Sequence, residues 1–180
     1  MAPKIQVIDA DITTLDVGAI VNAANAELAP GGGVCGAIHA GAGPDLAKEC
    51  ATLGGCPTGE ARITKGYELP AKWVIHAVGP VWGGGENRED DLLRNCYLAS
   101  LELAHTHKLA SIAFPAISTG IYGFPAPRAA DIAVQAALDD TRNFERPSIT
   151  NRLERIVFCC FGADSADLHN AALQKLAGRN

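Results

Sequence analysis

No stretch of this 180-residue sequence is long and apolar enough to suggest a bilayer span. The longest uncharged run, Leu109 to Pro127, is broken by Pro115, Gly120, Gly123 and Pro125. The start, Met1-Ala-Pro-Lys-Ile-Gln-Val-Ile-Asp, lacks the apolar core of a secretory signal. Six cysteines, Cys35, Cys50, Cys56, Cys96, Cys159 and Cys160, show no C-x-x-C spacing and no small-scaffold disulfide framework. With scattered histidines they offer no metal-ligand set, and they read as small buried hydrophobes in a reduced cytoplasm. Basic charge is also scarce. Fifteen Lys and Arg against 20 Asp and Glu leave a net charge of -5, which argues against a polybasic surface and a DNA duplex as partner. No Gly-Lys-Ser/Thr run marks a Walker A loop, and Ser118 lies in no G-x-S-x-G elbow.

What is present suits one folded unit over residues 1–180. The 48% hydrophobic content can build a core, and the length matches a single domain. Short strands are expected around Ile5 to Asp9, at Ala19 to Val21, Trp73 to Ala77, Ile112 to Phe114 and Ile156 to Phe161, with Arg62 to Thr64 as a sixth. Most are continuous apolar runs, as expected of strands covered on both faces. Helical patterns fall between them at Val34 to Ala40, Pro44 to Ala51, Asp90 to His107, Pro127 to about Thr141 and Ser165 to Leu176. In the third of these, Leu93, Tyr97, Leu101 and Ala104 form one apolar stripe. The expectation is an α/β fold, a three-layer α/β/α domain with a central mixed sheet. The polar segment Gly83 to Glu89 reads as an exposed loop.

Two glycine loops carry the chemistry. Gly31-Gly32-Gly33-Val34-Cys35-Gly36 formally matches G-x-G-x-x-G, but the nearest strand ends about nine residues earlier and no acidic second strand follows, so a nicotinamide dinucleotide site fits poorly. What survives is a close backbone approach at the start of a helix whose N-terminus favours an anion. The second loop, Pro115 to Pro125, follows the strand at Ile112 to Phe114 and brings together Ser118, Thr119, Gly120, Tyr122 and Gly123. Ligands of α/β sheets sit beyond the carboxyl ends of the strands, so two facing glycine loops could hold a diphosphate there.

Taken with their neighbours these segments resemble the macrodomain family, specifically the branch that removes ADP-ribose from proteins and deacetylates O-acetyl-ADP-ribose. The resemblance runs through Asp11-Ile12-Thr13, Ile20-Val21-Asn22-Ala23-Ala24-Asn25, Gly31-Gly32-Gly33-Val34, Gly36-Ala37-Ile38-His39, Gly66-Tyr67-Glu68-Leu69-Pro70, Ile75-His76-Ala77-Val78-Gly79-Pro80 and Ala113 to Gly120. It implies an ADP-ribose site that needs no cofactor or metal. Asp11 and the Ile12 N–H would read the adenine, and Phe161 would pack on it. Gly32, Gly33 and Val34 would contact the distal ribose and diphosphate. Ser118, Thr119, Gly120, Ile121 and Tyr122 would close over the phosphates, with Tyr122 against the distal ribose. Asn25 would orient a hydroxyl or water at the scissile bond. Plainer readings stand beside these: Asp11 as an N-cap, Phe161 as core, Asn25 as a turn residue, and His39 as a helix histidine satisfied by neighbouring backbone.

One departure matters. Hydrolases of that branch typically read Gly-Gly-Val-Asp-Gly-Ala-Ile-His, and here Cys35 stands at the aspartate position; loss of a general base costs roughly 10² to 10⁴ in rate. Three readings stay open: a slow hydrolase of ADP-ribosyl esters, a non-catalytic ADP-ribose reader, or thiol chemistry at Cys35 supported by His39 one helical turn away. Ala10 replaces a usual glycine and should cost little. The protein is expected to be a cytoplasmic monomer with ADP-ribose or ADP-ribosylated protein as partner.

Overall fold

Parallel strands buried on both faces need a helix layer on each side, and the chain supplies one. The computed structural model describes residues 2–143 and 153–179. Six strands, β1 (Lys4–Asp9), β2 (Ala19–Ala23), β3 (Ala61–Lys65), β4 (Trp73–Ala77), β5 (Ser111–Phe114) and β6 (Arg155–Cys160), form one sheet in the order β1-β6-β5-β2-β4-β3. All neighbours run parallel except β3, which pairs antiparallel with β4 at the edge. The sheet is therefore mixed, as the sequence suggested.

The helices are α1 (Gly33–Ala42), α2 (Pro44–Ala51), α3 (Glu89–Thr106), α4 (Ala126–Arg142) and α5 (Ala163–Ala177). Alternation along each strand divides the core in two. Ala19, Val21, Ile75, Ile112, Phe114, Ile156 and Phe158 face the α3–α4–α5 layer. Ile20, Val74, Ala113, Val157 and Cys159 face α1 and α2. On α3 the stripe Leu93, Tyr97, Leu101 and Ala104 is buried, and Tyr97, Phe114 and Phe158 pack ring to ring. All six cysteines are free thiols in buried positions.

One expectation needs correction at its end. The segment from Gly83 is a loop, but Glu89 is the first residue of α3 and is buried. Its Oε1 accepts from the N–H groups of Gly83 (3.0 Å) and Gly85 (3.1 Å), and its Oε2 from Asn87 (2.7 Å). A carboxylate that gathers three loop amides is an internal brace rather than a solvated charge.

Among the described residues no helix is long and apolar enough to cross a membrane, and no group of His, Cys, Asp or Glu is placed to hold a metal ion.

Candidate functional site

The sheet order lines up the carboxyl ends of β1, β6, β5 and β2 along one rim. At spacings of about 4.8 Å these four strands offer a row suited to an extended ligand. The sequence-predicted residues leave the rim in four groups: Asp11 and Ile12 after β1, Phe161 after β6, the Ser118–Tyr122 loop after β5, and Asn25 with the triple glycine, Val34 and Cys35 after β2.

Asp11 and Phe161 share the β1–β6 end. Asp9 and Cys160 are register partners, Ala10 N–H donates to the Cys160 carbonyl at 3.0 Å, and the Gly162 N–H donates to Asp9 Oδ1 at 2.9 Å. Asp11 caps the 3-10 turn Ile12–Thr14, its Oδ1 accepting from Thr13 N–H (2.9 Å) and Thr13 Oγ1 (2.7 Å). Those bonds hold its carboxyl below the usual aspartate range. Both fall on Oδ1, so the N-cap reading describes one oxygen and leaves Oδ2 for another donor. Ile12 is buried behind it. Phe161 is 93% exposed, which overturns its reading as a core residue: the last strand turns at Gly162 and leaves the ring outside.

Toward β5 and β2 the rim deepens into a cleft of about 330 Å³. Asn25, the triple glycine, Val34 and Cys35 form one wall; Ser118, Gly120, Ile121 and Tyr122 form the other, with Gly79 between them. Thr119 does not line it, and instead closes the turn through Oγ1 to the Ala116 carbonyl at 2.8 Å. No lining residue carries a charge at neutral pH, so any anion held here is met by backbone N–H groups and the first turn of α1. Gly33 enters α1 at φ 58, a left-handed backbone that a side chain would resist.

Asn25 is both a lining residue and a turn residue. Its Nδ2 donates to the Ala29 carbonyl and its Oδ1 accepts from the Ala29 N–H, each at 2.9 Å. That ring of two bonds fixes the amide plane while leaving one N–H and one lone pair unused. Ser118 sits at φ 65, buried, with an Oγ that has no partner among the described residues. Its carbonyl accepts from Phe124 N–H at 2.9 Å, and Gly123 N–H closes onto Gly120 at 3.0 Å. The loop is braced from outside as well. The backbone Trp82 N–H donates to the Tyr122 carbonyl at 2.8 Å, its ring lies 4.8 Å from Phe124, and the Arg128 guanidinium lies over the Trp82 ring at 5.3 Å.

Cys35 is 5% exposed. Its Sγ donates to the Ala29 carbonyl and receives Asn22 Nδ2, both at 3.7 Å. His39 is not among its partners. The reading of His39 as satisfied by neighbouring backbone is also overturned, since it is buried with both ring nitrogens lacking a hydrogen-bond partner among the described residues, and burial lowers its pKa. The sequence reading missed Asn22, His76, Thr64 and Cys50, which gather beneath the Cys35 wall. Their signal is register: Asn22 and His76 are directly paired on β2 and β4, a relation no single segment displays.

The chain is similar to known proteins over most of its length. The Macro domain family matches residues 21–133. A Macro domain-containing protein of Methanosarcina mazei is 54% identical over 173 residues, covering 96% of this chain and 89% of its own. An O-acetyl-ADP-ribose deacetylase of Escherichia coli is 47% identical over 177 residues, covering 96% and 97%. Among solved structures, the Oceanobacillus iheyensis macrodomain with ADP superposes with a TM-score of 0.92 at 37% identity, over 99% of this chain and 94% of that one. The Trypanosoma brucei macrodomain in complex with ADP-ribose gives 0.84 at 43% identity, over 94% and 68%.

Proposed function

The chain belongs to the macrodomain family, and from that membership we propose that its rim binds ADP-ribose and that the cleft hydrolyses ADP-ribosyl esters, either O-acetyl-ADP-ribose or ADP-ribosylated acidic side chains. The observation that carries the reading is the ordered row along four strand ends. Asp11 and Phe161 stand at one end, the uncharged diphosphate-sized cleft in the middle, and Asn25 with Cys35 at the other. A nucleotide with a second ribose is an extended molecule with an aromatic base at one end and two anionic groups in its middle. It lies along the row with adenine on Phe161, its amine on Asp11 Oδ2, and the diphosphate between the α1 N-terminus and the Ser118–Tyr122 loop. The relatives named O-acetyl-ADP-ribose deacetylase and the neighbours solved with ADP or ADP-ribose support the same ligand.

At the distal end, the unused Asn25 N–H and lone pair orient a water or ribose hydroxyl against the scissile ester. No carboxylate lines the cleft, so a ligand phosphate must assist proton removal, and turnover is slow. That missing carboxylate also favours a second reading, a non-catalytic ADP-ribose reader. Calorimetry with ADP-ribose tests binding, and no heat at high micromolar ligand would sink both readings. Single-turnover release of ADP-ribose from a modified protein separates them. The hydrolase reading expects measurable release by the natural chain, raised about 10²-fold by Cys35→Asp. If neither chain releases the product, the reader reading holds. The cell compartment proposed from the thiol-rich, disulfide-free core is the cytoplasm.

A further inference from the structure

Beneath the cleft wall, side chains from β2, β3 and β4 form one directional chain of hydrogen bonds that ends on Cys35. Asn22 and His76 are Cα partners on neighbouring strands, and Thr64 lies two residues along from Arg62, the residue that pairs with His76 across β3 and β4. All three therefore project to the same face, toward α1 and α2. Thr64 Oγ1 donates its single proton to the Lys65 carbonyl at 3.1 Å, and with that proton spent it can only accept from His76 Nε2, 2.9 Å away. Cys50 Sγ flanks the same ring nitrogen at 3.7 Å. Burial, with His39 nearby, pushes the His76 pKa down to about 4, so the ring is neutral and has only one proton to give. With that proton on Nε2, Nδ1 is an acceptor, and it takes Asn22 Nδ2–H at 3.1 Å. The amide is then fixed. Its second N–H reaches Cys35 Sγ at 3.7 Å, and its Oδ1 has no partner among the described residues.

We propose that Asn22, locked by His76 and Thr64, is a positioning residue for Cys35: it keeps an amide N–H on the sulfur and turns the S–H toward Ala29. The role rests on the reading of Cys35 as a ligand-facing residue of the cleft. It makes Thr64, on the edge strand and outside the cleft, a determinant of the thiol's chemistry. Removing the Thr64 acceptor frees His76 to carry its proton on Nδ1. The Asn22 amide then reverses, presents Oδ1 to the ring, and withdraws the N–H from sulfur.

Two measurements test the chain. The ¹⁵N spectrum of the natural protein should show His76 as the Nε2–H tautomer; the Nδ1–H tautomer would overturn the proposal, and this needs no variant. Alkylation of Cys35 by iodoacetamide, quantified on its own peptide, should be slowed about threefold or more by Thr64→Val, the scale of one net hydrogen bond. Thr64→Ser, which keeps the hydroxyl, should restore the natural rate. Equal rates in all three proteins would overturn the proposal. Added ADP-ribose should protect Cys35 in every case. A Thr64→Val effect without such protection would support the positioning role while removing the ligand reading on which it rests, so the two failures are distinct.

Discussion

A side chain with no room for a methyl group shows how finely the cleft is set. Gly79 lies between the two walls, and a Cβ there would clash with Ser118 Oγ and come within 2.7 Å of Ile117 Cγ2. Ser118 Oγ can turn aside, but the Ile117 side chain is buried and has little space to shift. Gly79→Ala is therefore expected to cost about 1–3 kcal/mol through overpacking and to weaken ADP-ribose binding about tenfold. Urea denaturation and calorimetry on the same preparation measure the two effects, and unchanged values in both would refute the close packing. Much at this scale was legible from residue order alone: Asn25, Gly32, Gly33, Val34, Cys35, Ser118, Gly120, Ile121 and Tyr122 do line one cleft. The unpartnered His39 nitrogens and the Asn22 chain were not. Whether a buried polar atom finds a partner depends on neighbours from other strands, and only the assembled register supplies them.

Elements were legible wherever a local signal stands alone. Pro44 at the start of α2, the stripe of α3 and the apolar runs of β4, β5 and β6 each specify their own conformation. The junction into α3 does not, because Glu89 looks like any first-turn acid until the loop wraps around it. Its carboxyl is held below the usual glutamate range by its own backbone N–H first and then by the amides of Asn87, Gly85 and Gly83. A carboxylate with a lowered folded pKa stabilises the fold above its unfolded pKa, and that contribution is lost as pH falls through the folded value. Glu89→Gln places an amide N–H against the loop donors, and is expected to lower the Tm by about 3 °C at neutral pH. The gap should narrow as pH falls below about 4.3, where the unfolded chain's carboxyl begins to take up a proton that the folded one still excludes. Scanning calorimetry across that range checks both parts, and a gap that widens with acid would contradict the assigned role. Because Trp82 in the same loop bonds to Tyr122, ADP-ribose affinity should fall along with stability.

At the scale of the whole molecule, the two-layer core has a consequence for acid stability. His39 and His76 are buried on the α1–α2 face, and His169 is buried on the far side between α5 and Phe158. Desolvation lowers the pKa of all three, that of His76 to about 4. The unfolded chain binds protons at these residues near pH 6.5, whereas the folded chain excludes them until the medium is much more acidic. Their neutral burial therefore contributes full stability above about pH 6.5, and loses it progressively as pH falls from there toward 4. For His76 alone the span corresponds to roughly 3 kcal/mol, a large share of the 5–15 kcal/mol that holds a domain of this size. The Tm should accordingly fall steadily between pH 7 and pH 4.5, before the carboxylates titrate in number. Both helix layers should share in the loss, since each covers at least one of these rings. Amide exchange at pH 5 locates it: α1 and α2 should lose protection together with α5, and a Tm that is flat across this range would show that the buried imidazoles are accommodated in their charged form.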